Sequence, residues 1–312
     1  MTAPPVPYIG RFAPSPTGPL HFGSLVAATG SYLEARARGG RWLLRIEDVD
    51  APRTVPGAAE GILATLARFG FEWDGDIVWQ SARQDAYAAA FERLKASGHV
   101  FPCCCTRREM ADSALARDGS RIYPGTCRRG LPPGRSPHAW RVRADGLIRF
   151  EDRVQGWQHE DLACDVGDYV VLRGDGQFAY QLAVVVDDAA AGITDVVRGA
   201  DLLGSTARQI HLQHLLGVAT PTYAHLPVVV NAAGEKLSKQ TLAAPVDTLP
   251  PATALVAALA FLGQPPPPRL ATGSLTEIWS WAQAHWSLGL VPRQPQAAAP
   301  PALLSAASGQ PA

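Results

Sequence analysis

The chain has 312 residues, enough for one large domain or two modest ones, and its 47% apolar and 18% charged residues describe a globular rather than a disordered protein. It contains no run of about 18 apolar residues, so no membrane-spanning helix is expected. The opening MTAPPVPYIGRFAPSP has no basic region followed by an apolar core, so no signal peptide is expected and a cytoplasmic location is. Formal net charge is zero, from 28 basic and 28 acidic residues, without the basic excess usual for a nucleic-acid binder. Basic residues still cluster at Arg36, Arg38 and Arg41, at Arg107 and Arg108, and at Arg128, Arg129 and Arg135, while acidic residues gather between Glu151 and Asp201.

In chain order, Tyr8 to Phe12 predicts a short strand, and APSPTGPLHFGS a turn dense in proline and glycine. A helix follows with Leu25, Ala28, Thr29 and Tyr32 on one face, ended by Gly39 and Gly40. Trp42 to Ile46 reads as a second strand. Two more helices are expected around Ile62, Leu63, Leu66 and Phe69, and around Tyr87, Ala90, Phe91 and Leu94. Strands alternating with helices of this length point to an α/β fold with a parallel sheet. From about Val100 to Phe178 the pattern breaks into a cysteine-rich loop and short β-like pieces at Ala139 to Val142, Leu147 to Phe150 and Tyr169 to Leu172, read as an insertion between two halves of a nucleotide-binding sheet. The apolar run Gln181 to Val186 suits a buried parallel strand. A helix over Thr206 to Leu216 and a strand over Leu226 to Val230 come next, then a helical stretch, 249–290, with Leu255, Ala258 and Leu262 on one face. The Ala-, Pro-, Ser- and Gln-rich end from Pro292 reads as a disordered tail. The expected organisation is a first half over 1–98, an insertion over 99–179, a second half over 180–231, a loop and helical part over 232–291, and the tail over 292–312.

Two loops carry phosphate chemistry. In the first, Pro14 to Ser24, a strand enters a tight turn; Gly23 has no Cβ to keep a nucleotide ring off the backbone, the helix N-terminus offers free N–H groups to phosphate, and His21 can donate to an α-phosphate as charge builds. In the second, Lys236 to Gln240, a strand feeds a glycine-containing loop that ends in two lysines able to clamp the β and γ phosphates, with Lys239 assigned that role. Either motif alone reads equally as an ordinary turn or a solvated loop; the pair is a joint signal. Four of the five cysteines, Cys103, Cys104, Cys105 and Cys127, fall within 25 positions, which in a cytoplasmic chain favours a metal site over disulfides. Cys164, in LACDVGDYVV, is expected to be a buried thiol.

The blocks RFAPSPTG, RIEDVD, YQLAVVVDD, VVRGADLL and KLSK, spread from Arg11 to Gln240 over roughly three quarters of the chain, resemble the catalytic core of glutamyl-tRNA synthetases. Against the commonest class I signatures, H-I-G-H and K-M-S-K-S, Phe22 stands for Ile, Ser24 for the second His, Leu237 for Met and Gln240 for the last Ser; Ser24 keeps a donor. HFGS, KLSKQ and the short C-terminal part are similar to the truncated glutamyl-Q subfamily, whose members put glutamate on the queuosine base in the anticodon of tRNA(Asp) rather than on a tRNA 3′ end. The resemblance implies a class I synthetase Rossmann-type fold, an inserted acceptor-type subdomain carrying a zinc knuckle, a short helical C-terminal part and no anticodon-binding domain. It implies ATP with Mg2+, one structural Zn2+, L-glutamate and queuosine-bearing tRNA(Asp), handled by a monomer with no membrane partner. It assigns ATP to His21, Gly23, Ser24, Lys236 and Lys239, of which His21 and Lys239 are catalytic, and glutamate to Arg11, Phe12, Ala13, Pro14, Ser15, Glu47, Tyr180 and Arg198. Within that set a planar guanidinium suits a carboxylate, so Arg198 is expected on the side-chain carboxylate, Arg11 on a carboxylate as well, Glu47 on the ammonium, and the Tyr180 hydroxyl orienting the ligand. The subfamily's zinc pattern maps onto Cys103, Cys105, Tyr123 and Cys127, with Cys104 either a bystander or a replacement for Tyr123. Two other readings are a truncated glutamyl-tRNA synthetase acylating a 3′ end, and a non-catalytic paralogue that binds tRNA or adenylate.

Overall fold

Alternating strands and helices dominate the chain up to Ala96, as the periodicity predicts: β1 (Ile9–Phe12), α1 (Phe22–Ala37), β2 (Arg41–Ile46), α2 (Ala58–Arg68), β3 (Val78–Trp79) and α3 (Gln84–Ala96). The computed structural model describes residues 7–116, 119–231, 234–237 and 245–300. β1, β2 and β3 form a parallel sheet in that order. α1 ends at Ala37 because Gly39 takes a left-handed φ of 61°. The four residues expected on its buried face, Leu25, Ala28, Thr29 and Tyr32, are all buried.

The middle of the chain contributes β4 (Val100–Cys103), β5 (Ala139–Val142), β6 (Leu147–Asp152), β7 (Gly156–Asp161) and β8 (Tyr169–Leu172). β4, β5 and β8 make a small antiparallel sheet. The β6–β7 hairpin does not belong to it: β6 lies parallel to β10 (Thr222–Leu226), so part of the stretch read as an insertion extends the second half of the main sheet. That half runs β7-β6-β10-β9, with β9 at Asp195–Gly199. It abuts the first half where the Ile9 and Thr194 backbones meet: the Thr194 N–H donates to the Ile9 carbonyl at 2.9 Å, and the Ile9 N–H donates to Thr194 Oγ1 at 2.9 Å.

Three further sequence expectations need correction. Gln181 to Val186 is not a strand but the body of α4 (Tyr180–Ala190). Leu182, Ala183, Val184 and Val185 are all buried, so a continuous apolar run arises from a helix covered on nearly every side as readily as from a buried strand. Leu226 to Val230 is not one strand: Pro227 separates β10 from β11 (Val228–Val230), which leaves the main sheet. The segment from Pro292 is not wholly a tail, because β12 (Gln296–Ala298) pairs in parallel with β11; residues 301–312 lie outside the described part. α5 (Leu203–Leu216), α6 (Pro251–Phe261) and α7 (Leu275–His285) complete the helices used below, and Leu255, Ala258 and Leu262 are buried as expected.

α1 packs on β1, β2 and β9 with α6 and α7 behind it, while α3, α4 and α5 pack together in a second core. The sheet is therefore wound on both sides, and the turn from β1 into α1 diverges from the turn from β9 into α5. In such folds the crevice beyond the carboxyl ends of the diverging strands receives ligand. α1 can lie close to the sheet because Gly30 faces Leu226; a Cβ there would meet Leu226 Cδ1 at 2.5 Å. No described helix is long and apolar enough to cross a membrane.

Candidate active site and metal centre

A cavity of about 510 Å3 opens at those carboxyl ends. It is lined by Arg11, Phe12, Ala13, Pro14 and Ser15 from β1 and its turn, by His21, Gly23 and Ser24 at the start of α1, and by Glu47, Tyr180, Arg198 and Lys236. Every described residue that the resemblance assigns to ATP or glutamate thus faces one space. Lys239 lies outside the described residues, but the chain on both sides of it reaches this space. Leu237 lines the cavity, and its carbonyl lies 3.7 Å from where a Gly23 Cβ would sit. On the far side, Pro245 bridges His21, and the Val246 N–H donates to the Leu20 carbonyl at 2.8 Å.

The start of α1 differs in detail from the sequence reading. The helix opens at Phe22, and His21 is its N-cap: the Ser24 N–H donates to His21 Nδ1 at 3.2 Å. A bare Nδ1 leaves the proton of a neutral imidazole on Nε2, so the ring is a donor on its other edge. A Cβ at Gly23 would press on the His21 ring at 3.1 Å, so this glycine makes room for the capping imidazole first of all. Lys236 Nζ pairs with Asp201 at 2.5 Å, at the rim.

Beneath the floor lies a buried charge cluster that the sequence did not reveal. Arg11 donates from Nε and Nη2 to the Asp188 carboxylate at 3.2–3.3 Å; none of these bonds uses Nη1. Arg45 reaches Asp188 at 2.5 Å and Glu47 Oε1 at 3.0 Å. One residue along, Asp187 accepts from Gln80, Arg83 and Tyr87 at 2.5–2.8 Å. Burial works against the Asp188 carboxylate, but Arg11 and Arg45 together hold it below the usual range. Burial pushes Glu47 up, with Arg45 opposing. The Tyr180 hydroxyl is raised by burial, then by Glu47, so it remains a protonated donor.

Arg198 is held differently. Nε donates to His225 Nε2 at 3.0 Å and Nη2 to Thr206 Oγ1 at 2.9 Å, while Nη1 is buried without a hydrogen-bond partner among the described residues. His225 Nδ1 in turn lies 2.6 Å from Asp152 Oδ2.

The cysteine cluster sits at the end of β4, in its own small core with Phe101 and Met110. The thiols of Cys103, Cys105 and Cys127 lie within 4.8 Å of one another, and Cys104 falls outside that mutual set although its Sγ is 3.7 Å from Cys127 Sγ. Cys105 Sγ is 3.7 Å from Cys127 Sγ, and the Tyr123 hydroxyl is 3.5 Å from both Cys103 Sγ and Cys105 Sγ. A tetrahedral zinc with Zn–S bonds of ~2.3 Å has sulfur–sulfur edges of ~3.8 Å and somewhat shorter sulfur–oxygen edges, so the donor set fits that ion. Arg141 supports the cluster, with Nε 3.3 Å from Cys103 Sγ and its guanidinium 4.2 Å over the Tyr123 ring. Without an ion, burial raises the Tyr123 hydroxyl, so ionisation would require the metal's charge. Cys164 is exposed rather than buried, because the Asp161 side chain caps the short turn at Ala163 and Cys164 and leaves the thiol outside the core.

Residues 9–250 match the family model of the class I tRNA synthetase (E and Q) catalytic domain, and the chain belongs to that family. A glutamyl-Q tRNA(Asp) synthetase of Aromatoleum aromaticum is 78% identical over 98% of this chain and 97% of its own length. One from Dechloromonas aromatica is 61% identical over 92% of this chain and 97% of its own length. A solved glutamate-tRNA synthetase from Elizabethkingia anophelis superposes with a TM-score of 0.78 at 25% identity, covering 95% of this chain and 69% of that one. Within the class I family, the chain falls among the glutamyl-Q tRNA(Asp) synthetases and is a tRNA synthetase-like ligase.

Proposed function

We propose that the protein activates L-glutamate with ATP and transfers it to the queuosine base at the wobble position of the tRNA(Asp) anticodon. The observation that carries this is the buried Nη1 of Arg198, without a hydrogen-bond partner among the described residues, in the same cavity as the N-terminus of α1: a donor suited to a carboxylate beside N–H groups suited to phosphate. The names of the closely similar relatives supply the acceptor.

In the first step an oxygen of the glutamate α-carboxylate attacks the α-phosphorus of ATP. A carboxyl–phosphorus bond forms, the bond to the bridging oxygen breaks, and pyrophosphate leaves. His21 donates from Nε2 to the α-phosphate, Gly23 and Ser24 present the helix N-terminus, and Lys236 and Lys239 take the departing pyrophosphate, with Mg2+ arriving as the counter-ion of ATP. Arg198 takes the side-chain carboxylate through Nη1 and Arg11 holds a carboxylate. Glu47 accepts from the ammonium, and Tyr180 orients the chain. Phe12, Ala13, Pro14 and Ser15 form the wall against which the substrate lies. Alignment supplies much of the rate, since the substrate is its own nucleophile. In the second step a hydroxyl of the nucleoside attacks the activated carbonyl and AMP leaves. Cys103, Cys105, Cys127 and Tyr123 would hold a zinc ion, whose contribution there would be structural, tying together the loops around β4. The work suits a cytoplasmic monomer.

Radioactive glutamate, ATP and tRNA provide the test. Label mapped to the anticodon stem, and lost with tRNA lacking queuosine, is the expected result. Label at the 3′ end would instead identify a truncated glutamyl-tRNA synthetase. Absence of glutamate-dependent pyrophosphate exchange would indicate a binding protein.

A further inference from the structure

Three adjacent strands carry a buried polar chain at their carboxyl ends. Asp152 ends β6, His225 lies on β10 and Arg198 on β9, and His225 and Arg198 are direct neighbours in the β9–β10 register. All three are buried. A guanidinium can only donate, so the 3.0 Å contact from Arg198 Nε obliges His225 Nε2 to be an acceptor. The imidazole proton must then sit on Nδ1, facing Asp152 Oδ2 at 2.6 Å. Asp152 cannot turn away from that duty, because its Oδ1 accepts from three backbone N–H groups: Val154 at 3.0 Å, Gln155 at 2.8 Å and His225 at 3.1 Å.

We propose that Asp152 and His225 are positioning residues for amino-acid recognition: Asp152 fixes the Nδ1–H tautomer of His225, and the bare Nε2 aims Arg198 so that its Nη1 meets the carboxylate of the substrate. This rests on the glutamate activation proposed above. Burial pulls the His225 imidazole down to about 4 despite Asp152, so the ring is neutral near pH 7, as an accepting Nε2 requires. Using a neutral acceptor also leaves Arg198 without a carboxylate in direct contact among the described residues. A carboxylate in place of the imidazole would orient the guanidinium equally well but would neutralise it before the substrate arrived.

The decisive variant is Asp152→Asn. Its oxygen stays with the three backbone donors, so its amide must point at His225 Nδ1. The ring proton then moves to Nε2, where N–H faces the N–H of Arg198. In glutamate-dependent pyrophosphate exchange we expect KM for glutamate to rise about tenfold or more, with KM for ATP within about twofold. Nitrogen NMR of histidine-labelled protein should show His225 as the Nδ1–H tautomer in the wild type and as Nε2–H in the variant. His225→Gln, whose Oε1 can accept from Arg198, should retain most of the glutamate affinity, and His225→Leu should not. An Nε2–H tautomer in the wild type overturns the proposal, as does an unchanged KM for glutamate in folded Asp152→Asn and His225→Leu, or an equal rise in both KM values. If Asp152→Asn does not fold, the His225→Gln and His225→Leu pair and the wild-type tautomer decide. A wild type that is inactive with glutamate defeats the proposed function instead, and the tautomer assignment still tests the relay.

Discussion

On and behind the β1 side of the cavity, called the β1 wall below, Arg11, Arg45 and Arg83 face Asp188, Glu47 and Asp187, three guanidiniums against three carboxylates. On the β9 wall, Arg198 is held by an imidazole, a hydroxyl and a carbonyl, with the nearest carboxylate of its network one ring further away. Both walls bury arginine, yet the first is neutralised from within and the second is not. Buried charge is tolerated when paired and costly when left alone. The charges around Arg45 are therefore paired within the fold, whereas Arg198 Nη1 is left buried with no partner among the described residues, as the proposed glutamate site requires of a group that meets an anion from outside. Arg45 is thus scaffold and Arg198, in the proposed site, receptor, and the identity of their partners makes the difference.

The largest expected effect tests the receptor. Arg198→Lys offers one ammonium where a planar fork is needed, and kcat/KM for glutamate in pyrophosphate exchange should fall about 10³-fold or more. Unchanged kinetics would remove Arg198 from the site. The scaffold should fail in another currency: Arg45→Met strands Asp188 and Glu47 with one cation fewer and should lower unfolding free energy by about 3 kcal/mol in urea titrations. Arg198→Lys should change it by less than about 1 kcal/mol, and equal losses would erase the contrast between the walls. Acid separates the walls further. In the unfolded chain His225 takes up a proton near 6.5, but in the fold only at about 4, so its contribution is full above 6.5 and is lost as pH falls to about 4, by at most ~3 kcal/mol. Against the cost of burial, Asp188 is held below 3.8 by Arg11 and Arg45, so its own contribution is lost only as pH falls below 3.8. The wild-type urea midpoint should fall across 6.5 to 4, less steeply in His225→Gln; His211, pulled down to about 4 by burial, adds a background slope. The smallest effect is a control remote from both walls: Cys104→Ser should keep one bound zinc by metal analysis, while Cys127→Ser loses it. Metal lost from Cys104→Ser would mean the ligand set is wrong.

What could be read from the sequence was what is local in it. Arg11 to Ser15 and His21 to Ser24 lie in one short stretch, where glycine, proline and helix-start chemistry are visible residue by residue, and all of these but Phe22 line the cavity. Asp188 and His225 were invisible as site residues because their partners are 177 and 73 positions away, and nothing in a single chain marks such pairs before they meet. α4 was misread because four consecutive buried apolar residues carry no period. The acidic pair Asp187 and Asp188, one residue beyond them after Val186, was the available clue, since a buried strand continuing into two carboxylates needs partners that a helix end can more readily supply.

β11 is sandwiched between two segments from distant parts of the chain. On one side Lys236 and Leu237 fold back onto it, with the Leu237 N–H donating to the Val229 carbonyl at 2.9 Å. On the other, β12 runs alongside, and the Ala299 N–H donates to the Val230 carbonyl at 2.8 Å. A protease clip between Val291 and Gln296 would therefore remove the strand that backs β11 under Lys236 and Leu237, and, if the proposed ATP site is right, damage some sixty residues downstream would register there rather than as a trimmed end.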